Sequence, residues 1–112
     1  MLFTIHCTFA PGTFAHAKQL RLEHYAFLRE VRNSIVEGGP LLGPDNLPYG
    51  MLMVVEASDE PAARAFIAKE PYNAHGFFET VSIRRWSHVI PEPQPGFIEA
   101  EYQKELRFRG NE

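Results

Sequence analysis

The sequence predicts an α+β domain in which helices cover one face of a β-sheet. Two strand–helix units follow one another along the chain, and a further strand-like segment ends the pattern. The chain has 112 residues, of which 45% are hydrophobic and 22% are charged, and this is typical of one globular domain. We therefore expect a single hydrophobic core and no second domain.

The first unit begins with residues 2–9, which are rich in β-forming residues and are followed by Pro11-Gly12. Apolar residues then recur every three or four positions over residues 15–37, which predicts one long helix that ends at Gly38-Gly39-Pro40. Alternation along the strand gives it a core face and an opposite face, formed respectively by Phe3, Ile5, Cys7 and Phe9 and by Thr4, His6 and Thr8.

The second unit has the same order of a strand and then a helix. Each segment is assigned from its apolar pattern and from the prolines and glycines that bound it. In chain order we predict a loop or irregular edge strand at 41–50, a buried central strand at 51–57, a helix at 62–70 capped by Ser58 or Asp59, an irregular segment at 71–76 and a strand at 77–86.

The C-terminal part of the chain differs in composition from the rest. Three prolines within the segment IPEPQPGF predict an extended arm after residue 89. We therefore divide the chain into a domain over residues 1–90 and a proline-rich C-terminal extension over residues 91–112. The last part of the extension, residues 100–112, is expected either to form a short helix or to be mobile.

Charge and hydropathy exclude several classes of partner. The formal net charge is -3, with no basic patch of the kind that binds nucleic acid or anionic membrane. No run approaches the roughly 20 apolar residues that cross a bilayer, and the N-terminus lacks a basic segment before an apolar one. We expect a cytoplasmic protein with no nucleic-acid and no membrane partner.

The sequence also gives no sign of a metal or a cofactor. No two of the five histidines are spaced as His-x-His or His-x₃-His, and no glycine-rich phosphate loop or Gly-x-Ser-x-Gly motif occurs. Cys7 is the single cysteine, so no disulfide forms within the chain, and we expect a buried, unreactive thiol.

His24 is the first candidate for chemistry, because imidazole changes charge near neutral pH without a large perturbation. Arg21 precedes it by one helical turn and would hold a phenolate or carboxylate of a substrate. The alternative is a histidine packed between helix and sheet, with the arginine paired to Glu23 or Glu30.

Other candidates lie on the strand and in the irregular segment. His6 would point either to solvent or into a cavity between two packed sheets, and a histidine that only bonds a neighbouring strand is the alternative. Tyr72 and His75 lie in segment 71–76, where backbone turns position polar groups. Glu70 is either a partner carboxylate for a histidine or an ordinary solvated helix end.

Three motifs in this order make residues 1–89 similar to the YciI-like family. One is a helical Arg-x-x-His-x-x-x-Leu, the second is Gly-Pro after that helix, and the third is acidic-Pro-Tyr followed by a small residue, Gly and an aromatic strand. Their positions here are Arg21, His24 and Leu28; Gly43-Pro44; and Glu70-Pro71-Tyr72, Ala74, Gly76, Phe77-Phe78 and Trp86.

The resemblance implies a ferredoxin-like plait that packs sheet against sheet with a second copy, as a homodimer with a dimeric α+β barrel. The proline-rich arm would be an addition that wraps the partner subunit. Members of the family commonly have an aspartate at the end of strand 1 that pairs with the helical histidine. This chain has Phe9 near that place, so that pair does not carry over.

The resemblance further implies a cofactor-free lyase or isomerase that moves a proton on a small oxygenated ring compound. One such reaction is the loss of HCl from a chlorinated hydroxyhydroquinone. His24 and His6 would be catalytic, while Arg21, Tyr72 and His75 would bind the substrate. A non-catalytic small-molecule binding or regulatory dimer is the alternative. A haem or quinol monooxygenase, with His24 or His75 as the axial ligand, is the least favoured hypothesis.

Overall fold

The computed structural model describes residues 1–111 and shows four antiparallel strands in the order β2-β3-β1-β4. Helices lie against one face of this sheet, so the α+β class is confirmed. The elements are β1 (Leu2–Phe9), α1 (Phe14–Ala17), α2 (Arg21–Val31), β2 (Ile35–Leu42), β3 (Pro48–Glu56), α3 (Glu60–Ala68), α4 (Pro71–Ala74), β4 (Phe78–Trp86) and α5 (Phe97–Gly110).

The core lies between the helices and the two central strands, β1 and β3. Ile5 stands opposite Met53 on one side and Ile83 on the other, so the alternating apolar residues of three strands meet on one face. Ala63 and Ile67 of α3 pack onto this face. The alternation predicted for the first strand, with its apolar side toward the core, matches this arrangement.

The long helix predicted to Glu37 is wrong at its C-terminal end. α2 ends at Val31, a 3₁₀ turn follows, and Gly38-Gly39-Pro40 lies inside β2 rather than after a helix. The helical spacing of apolar residues continues beyond the end of α2 because Ile35, which belongs to β2, packs on the same core as the helix. Proline is tolerated here because β2 is at the edge of the sheet, where a missing donor need not break a ladder.

The second helical unit contains one more helical turn than expected. Asp59 caps α3, and its side chain accepts a hydrogen bond from the backbone N–H of Ala62 at 2.8 Å. The segment predicted to be irregular after Pro71 begins with the single-turn helix α4, whose N-cap is Glu70. The chain therefore turns sharply between α3 and β4, with a carboxylate at the turn.

The C-terminal part of the chain buries little of its surface. Residues 87–96 form neither helix nor strand, and none of the side chains of α5 is buried. The radius of gyration is 17.8 Å, whereas a compact chain of this length has about 13 Å. Within residues 1–111, no helix combines the length and the apolar character required to cross a bilayer.

Candidate functional site

A cavity of about 460 Å³ lies between α2 and the core face of the sheet, beside the edge strand β2. Its floor is apolar and its helical wall carries polar side chains. The residues that line it include Phe9, Phe14, Lys18, Arg21, His24, Tyr25, Leu28, Arg32, Ile35, Glu37, Pro40, Pro48, Met51, Met53 and Tyr72. A cavity of this size accommodates a small-molecule ligand.

His24 is held in this cavity by a buried carboxylate. Its Nδ1 lies 2.7 Å from Oε1 of Glu70, which is fully buried. The second oxygen, Oε2, accepts the backbone N–H of Asn73 at 3.0 Å, so the same carboxylate caps α4. Asn73 is in turn held by a 3.0 Å bond from its Nδ2 to the carbonyl of Ile67. Helix ends thus fix Glu70, and Glu70 orients the imidazole.

The atoms of the site that make no hydrogen bond are the ones that face open space. Within residues 1–111, every buried side-chain nitrogen or oxygen has a hydrogen-bond partner. His24 bonds only through Nδ1, and the Tyr72 hydroxyl makes no hydrogen bond to a described residue. Neither His24 Nε2 nor Tyr72 Oη is therefore fully buried, and both side chains line the cavity.

Tyr72 packs directly on the imidazole. The two rings are stacked with centroids 4.4 Å apart and an interplanar angle of 21°. Burial raises the pKa of the Tyr72 phenol above its usual value of 10.0, the charge of Glu70 adds to that effect, and Arg21 opposes it. The phenol therefore remains a neutral hydrogen-bond donor at physiological pH.

The negative charge of Glu70 also acts on the centre of the sheet. Burial, and secondarily this charge, raise the pKa of the Cys7 thiol from 9.0 to about 12. The thiol is fully buried in the core cluster and does not line the cavity. Cys7 is thus a packing residue, as the sequence led us to expect.

The structure brings three of the five proposed site residues together. Arg21, His24 and Tyr72 line one cavity. His6 lies in β1 between the buried Ile5 and Cys7, so it is exposed on the opposite face of the sheet. His75 is exposed beyond α4, and its Nδ1 lies 3.0 Å from the carbonyl of Pro71. Neither of these two histidines lines the cavity.

The position of the cavity differs from the sequence-based expectation. We expected His24 to face an enclosed space between the sheets of two copies, together with His6. The cavity instead lies on the helix-covered face, within one protomer, because α2 packs beside Met51 and Met53 of β3. The two histidines are therefore separated by the sheet itself.

Glu70 is the carboxylate partner of His24 and not a solvated helix end. Phe9, at the end of β1, packs against the rings of Phe14, Tyr72 and Phe78, with centroids 5.1–6.0 Å away. The carboxylate comes instead from the turn between α3 and α4. An acidic residue directly before Pro-Tyr at a helix start was the available signal. Lys18 and Arg32 were not singled out, although Lys18 precedes Arg21 by one helical turn and that spacing was the available signal.

Within the described residues, no group of three His, Cys, Asp or Glu side chains is arranged to hold a metal ion. The functional groups that converge on the cavity are an oriented imidazole, a phenol and a guanidinium. Together they provide a base, a neutral donor and a cation, which is a set suited to proton transfer on an oxygen-bearing ligand.

A family model described as a YCII-related domain matches residues 1–87. Among curated protein sequences, no significant match was found.

Several solved structures resemble the chain. The 5-chloro-2-hydroxyhydroquinone dehydrochlorinase of Burkholderia phenoliruptrix AC1100, in complex with 2,5-dihydroxybenzoquinone, is 27% identical, with a TM-score of 0.75; the match covers 82% of this chain and 99% of that one. A protein described as a putative antibiotic biosynthesis monooxygenase of Bacteriodes thetaiotaomicron VPI-5482 is 12% identical, with a TM-score of 0.52; the match covers 84% of this chain and 93% of that one. The second match concerns the fold alone.

Proposed function

The chain belongs to the YCII-related family, and from that premise we propose that it is a cofactor-free enzyme that moves a proton on a small oxygenated ring compound. The observation that carries this proposal is the 2.7 Å contact of His24 Nδ1 with the buried Glu70. An ionised carboxylate only accepts hydrogen bonds, so Nδ1 donates and the lone pair of Nε2 is left for the substrate.

Each residue of the cavity has a distinct role in this proposal. His24 takes a proton from a ring hydroxyl as the general base and returns one as the general acid. Arg21 stabilises the oxyanion that develops on the ring, and Tyr72 donates a hydrogen bond or relays the proton. His6 has no role here, because it lies on the opposite face of the sheet.

Elimination of HCl is the specific reaction that we propose to test first. The similar dehydrochlorinase is named for a chlorinated hydroxyhydroquinone and was solved with a dihydroxybenzoquinone. In such a reaction the ring hydroxyl loses its proton to His24 and the ring ketonises as a ring carbon takes up a proton. Chloride then leaves together with a second hydroxyl proton, so the net loss is HCl and the ring becomes a quinone.

The alternative of an inert binding protein has lost its main support. That hypothesis depended on a histidine without a carboxylate to orient it, since the strand 1 position holds Phe9. Glu70 supplies that carboxylate from another part of the fold, at hydrogen-bond distance and out of solvent. An oriented, desolvated pair of this kind is characteristic of a working base.

We also propose that the protein is a homodimer. The face of the sheet opposite the helices carries Leu52 and His6, both of which are exposed in the protomer. α5 likewise extends from the domain with its apolar side chains in water, and a lone helix of 14 residues is marginally stable. A second copy would cover both surfaces.

The catalytic proposal is tested by incubating the protein with hydroxyquinol, its chlorinated form and a small unsaturated lactone in deuterated buffer. Deuterium incorporation into ring carbon, followed by NMR, reports proton transfer even where no net product forms. Quinone absorbance and released chloride report the elimination. We expect exchange or turnover with at least one of these compounds.

The His24→Gln variant is expected to lose about 10²- to 10⁴-fold in rate. His75→Gln is the matched control, because His75 is exposed and lies outside the cavity. Ligand binding without any exchange would support the inert alternative instead. Equal rates in wild type and His24→Gln would exclude His24 as the base.

A further inference from the structure

The wall of the cavity reverses the charge balance of the chain. The whole sequence has 14 acidic and 11 basic residues. Three basic side chains line the cavity, namely those of Lys18, Arg21 and Arg32. Among the described residues, Glu37 is the only acidic one in the lining. The lining of the cavity therefore has more basic than acidic side chains, although the whole chain has more acidic ones.

Lys18 and Arg21 are available to a ligand, whereas Arg32 donates one guanidinium N–H to the backbone carbonyl of Arg29 at 2.9 Å. Among residues 1–111, no carboxylate oxygen lies within 4.0 Å of Lys18, Arg21 or Arg32, although the exposed Arg64 is paired with Glu60 at 2.8 Å. Like charges around a concave surface repel one another and focus a positive potential into it, which raises the local concentration of anions. The buried Glu70 acts on Tyr72 more strongly than Arg21 does, so the part of the cavity that favours a negatively charged group is the wall that carries these three cations.

Two of the cations lie at the end of the cavity where the proposed chemistry takes place. Lys18 and Arg21 are three residues apart on consecutive helical turns, and His24 follows one turn later. Arg32 is 11 residues beyond Arg21, which is about 16 Å along a helix. The Lys18–Arg21 pair is thus placed to bind a charged group beside the imidazole, while Arg32 contributes from the far end.

The remaining walls suit a flat apolar body. Phe9 and Phe14 line the cavity near Tyr72, and Met51 and Met53 form its floor. Aromatic and thioether side chains pack well against a planar ring. The cavity thus combines a slot for a ring with a cationic end.

We infer that the ligand of this site is a ring compound that carries an ionised carboxylate in addition to its hydroxyl group. The carboxylate is bound by Lys18 and by two of the five N–H donors of Arg21, which leaves the other donors of Arg21 for the ring oxyanion. This inference rests on the proposed function for the ring and the hydroxyl, and it adds the acidic substituent as the determinant of specificity.

The test compares three matched compounds by isothermal titration calorimetry at pH 7: 2,5-dihydroxybenzoate, its neutral amide 2,5-dihydroxybenzamide, and hydroquinone. We expect the carboxylate to bind at least tenfold more tightly than the amide, and that ratio to fall at high salt. In the Lys18→Gln/Arg21→Gln double variant, we expect the affinities for the carboxylate and the amide to differ by less than twofold. Arg64→Gln, a change of an exposed cation outside the cavity, keeps the wild-type ratio.

Equal affinity of the wild type for the acid and the amide would overturn the inference. So would failure to bind either compound, or full selectivity in a double variant that melts at the wild-type temperature. Because binding is measured without turnover, the outcome is separate from that of the catalytic proposal. Selective binding of the acid without deuterium exchange would contradict the catalytic proposal alone. Turnover of neutral rings without selectivity for the acid would contradict this inference alone.

Discussion

His24 and Glu70 are 46 residues apart in the chain, and their Nδ1 and Oε1 atoms lie 2.7 Å apart in the fold. The contact joins α2 to the turn between α3 and α4. It gives the imidazole one fixed orientation and leaves its other nitrogen at the cavity. Most of our functional expectations follow from this pair.

Glu70→Gln is expected to lower kcat by about 10²- to 10⁴-fold, the range of general acid–base assistance, while KM stays within about twofold. The amide oxygen can still cap Asn73, but the amide group can donate to Nδ1 and so place the imidazole proton on Nε2, which is the wrong tautomer for a base. The measurement is steady-state kinetics with the substrate found in the exchange assay. Glu79→Gln, a change of an exposed residue of β4, is the control. An unchanged kcat in Glu70→Gln would show that the carboxylate does not assist the base.

The His24→Gln and Glu70→Gln changes are also expected to be strongly non-additive. If the carboxylate acts only through the imidazole, the double variant is no slower than His24→Gln alone, because residues that act as one unit share a single loss. The check is a double-mutant cycle on kcat/KM. Losses that multiply would show that Glu70 acts by another route.

Tyr72 is expected to titrate above pH 10, because burial and the Glu70 charge raise the pKa of its phenol. Subtracting the 295 nm titration curve of Tyr72→Phe from that of the wild type isolates this side chain among the four tyrosines. A raised pKa in the folded state also means that Tyr72 stabilises the fold below about pH 10, and that this contribution is lost as pH rises further. A difference curve with its midpoint at or below pH 10 would contradict this expectation.

Gly50→Ala is expected to destabilise the fold by about 3 kcal/mol or more, in the range of severe overpacking. A Cβ at Gly50 would lie 2.1 Å from the backbone carbonyl oxygen of Cys7, so two central strands would have to separate. Gly39→Ala is the matched control in the neighbouring strand, where a Cβ meets nothing within 4 Å. Urea unfolding of both variants checks the difference, and equal free energies of unfolding would contradict the close approach.

The wild type is expected to sediment as a dimer, and Ile98→Glu/Leu106→Glu to weaken the dimer at least tenfold. These side chains are 42% and 45% exposed in the protomer and, with Tyr102, form a stripe at helical spacing along α5. Ala100→Glu/Gln103→Glu adds the same charge away from that stripe and is the control. Analytical ultracentrifugation over a dilution series gives the dissociation constants. Equal weakening by both double variants, or a monomeric wild type, would remove the proposed role of α5.

The sequence was most informative where a pattern is local. Alternation assigned the two faces of β1 correctly, and the Asp59 cap with the following proline marked the start of α3. It failed past Val31, because Ile35 continues the apolar spacing of a helix while lying in a strand. Periodicity reports which residues are buried, and in this segment burial did not distinguish the two structures.

The sequence identified several residues of the site but not how distant segments bring them together. Arg21 and His24 are neighbours on one helix, so their proximity follows from spacing alone. Whether Glu70 was a solvated helix end or a partner carboxylate depended on how two distant segments pack, and no local pattern contains that information. The same limit applies to His6, whose strand face was clear although the side of the sheet that holds the cavity was not.

Because Cys7 is buried, the rate at which a reagent labels its thiol measures how often the fold opens. Cys7 is the one cysteine of the chain; it is fully buried in the core, and burial raises the pKa of its thiol to about 12. A thiol-modifying reagent can therefore react only in molecules whose central strands have come apart. The labelling rate of the unmodified protein, with and without a bound ring compound, would measure how far occupancy of the cavity suppresses that opening.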